Sequence, residues 1–600
     1  MKNITYTVPE NDKEIFVAPA IDCIPDLVRE NKHKIGTYIF EINGIPFQVL
    51  RDMSREELLH KAIQYTYGIK SLLRAQGRHG QTSLSTPPVN SLLSRAISQY
   101  QDEVLGKRGE LEHKPIKEVP IILTGHEPVF YHPGIWVKNH LVHHVAKRVD
   151  GIGINMIVDN DACTIGFICA PTLSENSLHI QKIPLVEGKD RVAYEEIVLD
   201  DFKILHRFRE EILSLLKNNA LNADALSCKS MEKGTTALPL CKNIKITMDD
   251  MQAAFEGYIA RVVACRERGC VDMVGLLTAA RVALEEDFQM ENLEIPVSWM
   301  CNTDGFYHFF LHVLHNAGQF VRIYNEKLAE YRGIHKIRSK ANPLPGLDVG
   351  NNVTELPFWV WKQGEERKRC YLLNEGDLLK ITDGTHVVAI LKKNEAGSEN
   401  VQKLKALQEG RIKLRPRAIT TTMFFRLLFS DVFIHGIGGA KYDTITDEII
   451  REFFGISPPS YVTNSATLFL PLNALDRDTG ELQRVQRELR DMPHNPERYA
   501  SKELLNDAGF ANRVKEKKRI LAIIECCSTD EKKAYFNQIK ALNKLLFDQI
   551  RTEFLHKQDE RNALMRGLAN ENAVKFREYP VCLFPTDFLR GHYTNAFSEG

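Results

Sequence analysis

The sequence predicts an α/β protein: a largely parallel sheet core, helical and small β-rich insertions, and a C-terminal helical arm. Three observations carry that reading. From about residue 120, short apolar runs alternate with amphipathic helical patterns, as in strand–helix–strand units. Four of those runs end abruptly in polar residues and glycine. Near the C-terminus, Tyr535, Ile539, Leu542, Leu546, Ile550 and Phe554 recur at threes and fours on one face.

Taken in order, residues 1–115 are mixed, with a helix expected over 54–75 followed by the linker GRHGQTSLSTPPVNS. Residues 116–190 open the core, 191–290 read as a helical insertion, and 291–340 continue the core. The segment 341–411 is Pro/Gly-rich with short β-like runs (PFWVWK, CYLLN, VVAILKK) and reads as a small β-rich module. The core pattern resumes over 412–475. A charged helical arm follows over 476–578, with a helix spanning roughly 529–570 that would be about 60 Å long. Residues 579–600 form a closing segment.

Composition bounds the function. A chain of 600 residues implies two to four domains. Lys+Arg and Asp+Glu are equal at 78 each, so no strongly basic nucleic-acid footprint is expected. No apolar h-region opens the sequence and no run approaches a membrane span. The twelve cysteines show no C-x-x-C, and the adjacent pair is Cys526–Cys527. A cytoplasmic protein without membrane partners is the expectation.

The four strand ends define the candidate site. Val119–Leu123 runs into Gly125-His126-Glu127, and Ile154–Val158 into Asp159-Asn160-Asp161. Ile295–Met300 runs into Cys301-Asn302-Thr303-Asp304, and Val432–Ile434 into His435-Gly436-Ile437-Gly438-Gly439-Ala440-Lys441, a loop before a helix expected near Thr446. Ligands of open α/β sheets bind outside the carboxyl ends of the strands, so these residues point to one cleft. The glycines permit close backbone approach to a ligand, and the loop matches neither G-x-x-x-x-G-K-[ST] nor G-x-G-x-x-G.

On the helix that begins at Pro133-Gly134, the helical period puts Lys138 inside the stripe Val137, Leu141, Val142, Val145, Val149. An ammonium on the sheet-facing side of a first turn needs an anion, which the helix N-terminus also attracts. Glu127 then stands in when no ligand is bound. His140 and His144, like His308, His312 and His315, have metal-ligand spacing but lie opposite the apolar stripes and are expected to face solvent or a partner. No metal ligand is assigned. Cys163 and Cys301 read as buried thiols rather than nucleophiles.

TGHEP…HPG…K followed by a strand ending in DNDA resembles the opening βαβ unit of the cysteine-adding enzymes of bacillithiol biosynthesis. A second block, LRPRAITTTMFFRLLFSDVFIHGIGGAKYD…PPSYVTNSATLFL, is similar to their L-R-P…Gly-Gly segment and the N-S-A-T-L-like strand after it. The two blocks cover roughly 110 residues. The resemblance implies a Rossmann-like core of the class I nucleotidyltransferase and synthetase type, with connecting insertions and a coiled-coil arm that forms a homodimer. His132-Pro133-Gly134 stands at the first half of an H-x-G-H signature, with Ile135 in place of the second histidine. No K-M-S-K-S follows, and Arg338-Ser339-Lys340 is its nearest echo.

The function expected is a small-molecule ligase or transferase that joins an amino acid or similar donor to a polar, sugar- or phosphate-bearing metabolite. ATP or another nucleotide with Mg²⁺ is the candidate cofactor. His126 or His132 would act as general acid or base. Asp159 and Asp161 would hold sugar hydroxyls, an amine or hydrated Mg²⁺. Gly125, Glu127, Gly134, Lys138, Asn160, Asn302, Gly436 and Lys441 would line the ligand, with His435 and the Gly438-Gly439 backbone closing the far side. The alternative is a non-catalytic metabolite- or nucleotide-binding dimeric adaptor.

Overall fold

The structure, a computed structural model, describes residues 6–74, 118–164, 166–174, 177–188, 191–232, 247–472, 479–524 and 528–597. The linker 77–91 and the Cys526–Cys527 pair lie outside them.

A six-stranded sheet runs in the order Glu14–Ala18, Val462–Thr467, Val432–Gly436, Ile121–His126, Ile152–Ile157, Leu293–Pro296. Every neighbouring pair is parallel except the first, where Glu14–Ala18 lies antiparallel on the edge. The four expected strands therefore sit side by side. Their apolar runs are continuous because helices cover both faces. On one face Ile122, Val432, Ile434 and Val462 pack against Leu141, Val142 and Val145 of the Pro133–Arg148 helix. On the other, Leu123, Phe433 and Ile154 join a larger cluster with Ile445 and Ile449.

Several expectations need correction. The strand over Ile295–Met300 stops at Pro296, which offers no N–H to a ladder, and Val297–Met300 coils into a short helix. Asn302 is thus six residues beyond the strand end. The helix placed near Thr446 spans Ile437–Phe453, starting directly after Gly436. Neither Gly438 nor Gly439 has positive φ, so HGIGGAKYD is a helix start and not a loop. Burial of Ile437, Ala440, Ile445, Ile449 and Ile450 along one stripe outweighs the poor helix propensity of the two glycines. Ile412–Pro416, assigned above to the core, instead pairs with Val353–Lys362 as an edge of the five-stranded antiparallel module.

The N-terminal block is built into the core. Beyond its edge strand, the Phe47–Arg74 helix sends Arg51 and Arg55 to the buried Asp431 at 2.9 and 3.2 Å. Asp431 Oδ2 also accepts from Ile121 N, so one carboxylate ties that helix to two central strands.

The C-terminal arm differs from a single long helix. It breaks at Ile550 into Thr529–Gln549 and Arg551–Val574. Leu546 and Ile550 of the apolar stripe are buried within the chain, clustered with Met492, which directly follows the Thr479–Asp491 helix, and Phe510 of the Ala508–Ile524 helix. The stripe is satisfied locally, so Leu546→Asp is expected to unravel this cluster rather than release a folded monomer. Hydrogen exchange should show lost protection over 479–574 with the parallel sheet intact. An unchanged exchange pattern would contradict it. No helix among the described residues is long and apolar enough to cross a membrane.

Candidate active site at the carboxyl edge of the parallel sheet

The site is built on the turn from the Ile121–His126 strand into the Pro133–Arg148 helix. Pro133 sits at the first helical position, where its missing N–H costs nothing. His132 caps the helix, its Nδ1 accepting from Gly134 N at 3.1 Å. Its carbonyl accepts from Ile135 and Trp136 N. The leading backbone donors are therefore already used, so the helix start offers a field but not the free N–H groups expected. Burial, with Arg577 and Lys138 nearby, drops the His132 imidazole to about 3, which fixes it as a neutral cap rather than an acid–base group. Gly134 is required by close approach. A Cβ there would meet Ala466 O at 2.7 Å and Arg577 Nη2 at 2.5 Å.

Lys138 is 4% exposed, as its place in the apolar stripe foretold. Its Nζ reaches back toward the helix start and donates to Gly125 O at 2.8 Å. Burial pulls the amine down to about 7, with Glu127 drawing it partly back up. Glu127 moves the other way. Burial and then Asp161 raise its carboxyl to about 7, against the pull of Tyr194, whose hydroxyl donates to Oε2 at 3.4 Å, and of Arg367 and Lys138. One buried base and one half-buried acid are thus both drawn toward neutrality. His126 is held neutral well below its ordinary range by burial and then Lys138, with Nδ1 3.3 Å from Glu127 O and its ring edge-on to Tyr131.

The aspartates turn toward protein partners. Asp159 is 2% exposed and accepts from Ser298 N and Oγ. Burial and Glu195 raise it to about 7, while the Ser298 bonds and Arg415 oppose. Asp161 pairs with Arg367 at 2.6 Å. Asn160 donates to Pro416 O at 2.8 Å, stitching the strand end to the β-module. Glu195 joins Arg415 and Lys413 across the same seam and is held low by them against burial. With both aspartates so engaged, the set does not fit a Mg²⁺ site. Among the described residues no group of three or more His, Cys, Asp or Glu side chains is placed to hold a metal ion.

The remaining candidates fall elsewhere. His435 lies on the opposite face of the sheet from Lys138. It alternates with Ile434 and Gly436, stacks on Phe433 at 4.2 Å, and places Nε2 2.6 Å from Asp443. His435 and Arg426 hold the Asp443 carboxyl well below its usual range although burial works to raise it. Gly439 leaves room for that imidazole, since a Cβ there would sit 3.0 Å from His435 Nδ1. Gly438 and Lys441 are exposed on the helix that follows. Asn302 is exposed and accepts from Gln408 at 2.8 Å. The structure brings together Gly125, His126, Glu127, His132, Gly134, Lys138 and Gly436, with Asp159, Asn160 and Asp161 on the adjoining strand end. It does not bring Asn302, His435, Gly438, Gly439 or Lys441 to that point.

Two histidine expectations are corrected as well. His140 is buried, its ring stacked on Tyr593 at 4.2 Å and edge-on to Trp136. His308 is buried beside Asn43. The C-terminal Thr586–Phe597 helix and the 41–46 hairpin cover faces that the helical period left open.

Neither a family model nor a curated protein matches the chain.

Sequence reasoning missed Arg577, Arg367, Tyr194, Glu195 and Asn464. Asn464 stood inside the quoted NSATL strand, but nothing in its neighbours marks it as different from a turn or edge residue.

Proposed function

We propose that the chain is a small-molecule ligase or transferase of the Rossmann-like, cysteine-adding type, joining an amino acid or similar donor to a polar, sugar- or phosphate-bearing metabolite. The single observation that carries this reading is the Glu127–Lys138 pair. A carboxyl and an amine, both drawn to about 7, sit at the carboxyl edge of a parallel sheet. A group whose pKa matches the working pH exchanges protons with least loss of driving force. Lys138 as ammonium binds an acidic substrate group. As amine, it takes a proton from an attacking nucleophile. Glu127 accepts or returns that proton on the other side of the turn. His126, neutral throughout, accepts a hydrogen bond from substrate. Bond formation at a carboxyl also needs an activated donor whose leaving group departs as the nucleophile attacks, so the experiment is run with and without ATP and Mg²⁺ as the activating pair.

The test incubates the protein with mixed amino acids and sugar phosphates, with and without ATP and Mg²⁺, and searches for a condensation product by mass spectrometry. Wild type should form one, and Glu127→Gln and Lys138→Met should each slow it by about 10²–10⁴-fold. Equal product in all three proteins would overturn the reading.

Self-association through the arm belongs to the same proposal. Phe536 is 65% exposed, and Leu545, Leu555 and Met565 are about half exposed, so apolar surface remains after the internal cluster forms. Cytoplasmic placement is likewise proposed with it.

A further inference from the structure

Three positions form a row across the sheet on the face that carries Lys138. Gly436 pairs with Asn464 in register, and Ile434 with Thr124, which brings Gly436 level with His126. Val462 and Ile122 anchor this face against Leu141 and Val142, and two-residue alternation places Asn464 and His126 on it too. Gly436 leaves the middle open. A Cβ there would meet nothing nearer than Lys138 Cδ, at 4.0 Å.

Asn464 is the unexplained member. It is 0% exposed, and neither its amide nitrogen nor its oxygen has a partner. A carboxamide stripped of water without replacement bonds is costly, so such a group in a native core needs a reason. Its chemistry calls for a ligand that both accepts and donates. At the other end of the row, His126 Nδ1 contacts Glu127 O. A carbonyl only accepts, so Nδ1 carries the hydrogen and Nε2 is left as an acceptor.

We propose that the row is a subsite for an α-substituted carboxylate, an amino acid or a 2-hydroxy acid, lying over Gly436. Lys138 Nζ and the Asn464 amide N–H hold the carboxylate. His126 Nε2 and Asn464 Oδ1 both accept from an α-ammonium, whereas an α-hydroxyl has one hydrogen and donates to one of them. A phosphate dianion satisfies the first pair but carries a single hydroxyl hydrogen, so it leaves one acceptor unpaired and binds less well than an amino acid. This inference rests on the transferase reading and deepens it by placing the donor.

The test is thermal shift of the full chain with L-serine, L-lactate and inorganic phosphate as probes, on wild type, Lys138→Met, Asn464→Leu and Gly436→Val. Serine should stabilise wild type more than phosphate does, and the comparison of serine with lactate identifies the α-substituent. Asn464→Leu should melt no lower than wild type without probe, and bind serine or lactate roughly five- to 150-fold more weakly. Gly436→Val, whose Cβ meets nothing nearer than 4.0 Å, should stay folded and lose the same binding. It decides the matter if Asn464→Leu fails to fold. Phosphate binding that needs Lys138 but is indifferent to Asn464 would overturn the subsite while leaving the anion site standing. No shift with any probe would overturn both, and Gly436→Val binding serine or lactate as wild type does would overturn the subsite alone.

Discussion

Arg281→Met is expected to cost about 3–5 kcal/mol of stability, because it leaves two buried carboxylates without their cation. Arg281 bridges Glu285 at 2.9 Å and Glu294 on the Leu293–Pro296 strand. Glu285 in turn accepts from Trp136 Nε1 at 3.0 Å and Asn139 Nδ2 at 2.7 Å. Glu294 accepts from Asn155 Nδ2 at 2.8 Å. The network therefore fixes the helix that carries Lys138 against two strands of the sheet. Burial raises the Glu294 carboxyl to about 7 even beside Arg281. Without the guanidinium, protonation of the carboxylates is the remaining relief. Urea melts should then show a smaller loss at pH 5 than at pH 8. Equal stability of variant and wild type at both values would show that the network is incidental.

Much of this architecture was legible. Three of the four core strands lie where the apolar runs put them, and the fourth is displaced to Leu293–Pro296, where the buried Glu294 interrupts the run. Lys138 fell within the stripe by the helical period alone, and it is buried as the period requires. What failed to show depends on distant chain. Burial of His140 needs Tyr593, more than 450 residues later, to cover its face. Gly134 reads as a helix starter, yet Arg577 and Ala466 O set its true constraint. Asp159 looked like a free strand-end carboxylate until Ser298 closed over it. The HGIGGAKYD segment misled because two glycines argue locally for a loop, whereas burial of one stripe decides for a helix.

Lys138→Met has the larger consequence for function. A charge-assisted contact contributes about 1.5–3 kcal/mol, so affinity for a phosphate or carboxylate should fall roughly ten- to 150-fold. The fold should survive, and the sign of the stability change depends on pH. The amine is lowered from 10.5 to about 7, so in this range the unfolded chain binds more protons than the native one. Wild-type stability from this group therefore rises as pH climbs from about 7 to 10.5, and its full cost is present below 7. Methionine removes that cost. The variant's advantage over wild type should be greatest below pH 7 and fade toward 10.5, offset throughout by the lost bond to Gly125 O. A variant that is unfolded at pH 6 would make Lys138 a structural residue.

The most direct measurement of the central claim is phosphate and serine binding to the full chain, by calorimetry, from pH 5 to 9, on wild type and Lys138→Met. Wild type should bind at least one of them, most tightly below about pH 7 where Lys138 is an ammonium, and progressively less above it. Lys138→Met should bind weakly at every pH. Identical affinities in the two proteins, or wild-type affinity that does not change across pH 7, would contradict an anion site built on Lys138.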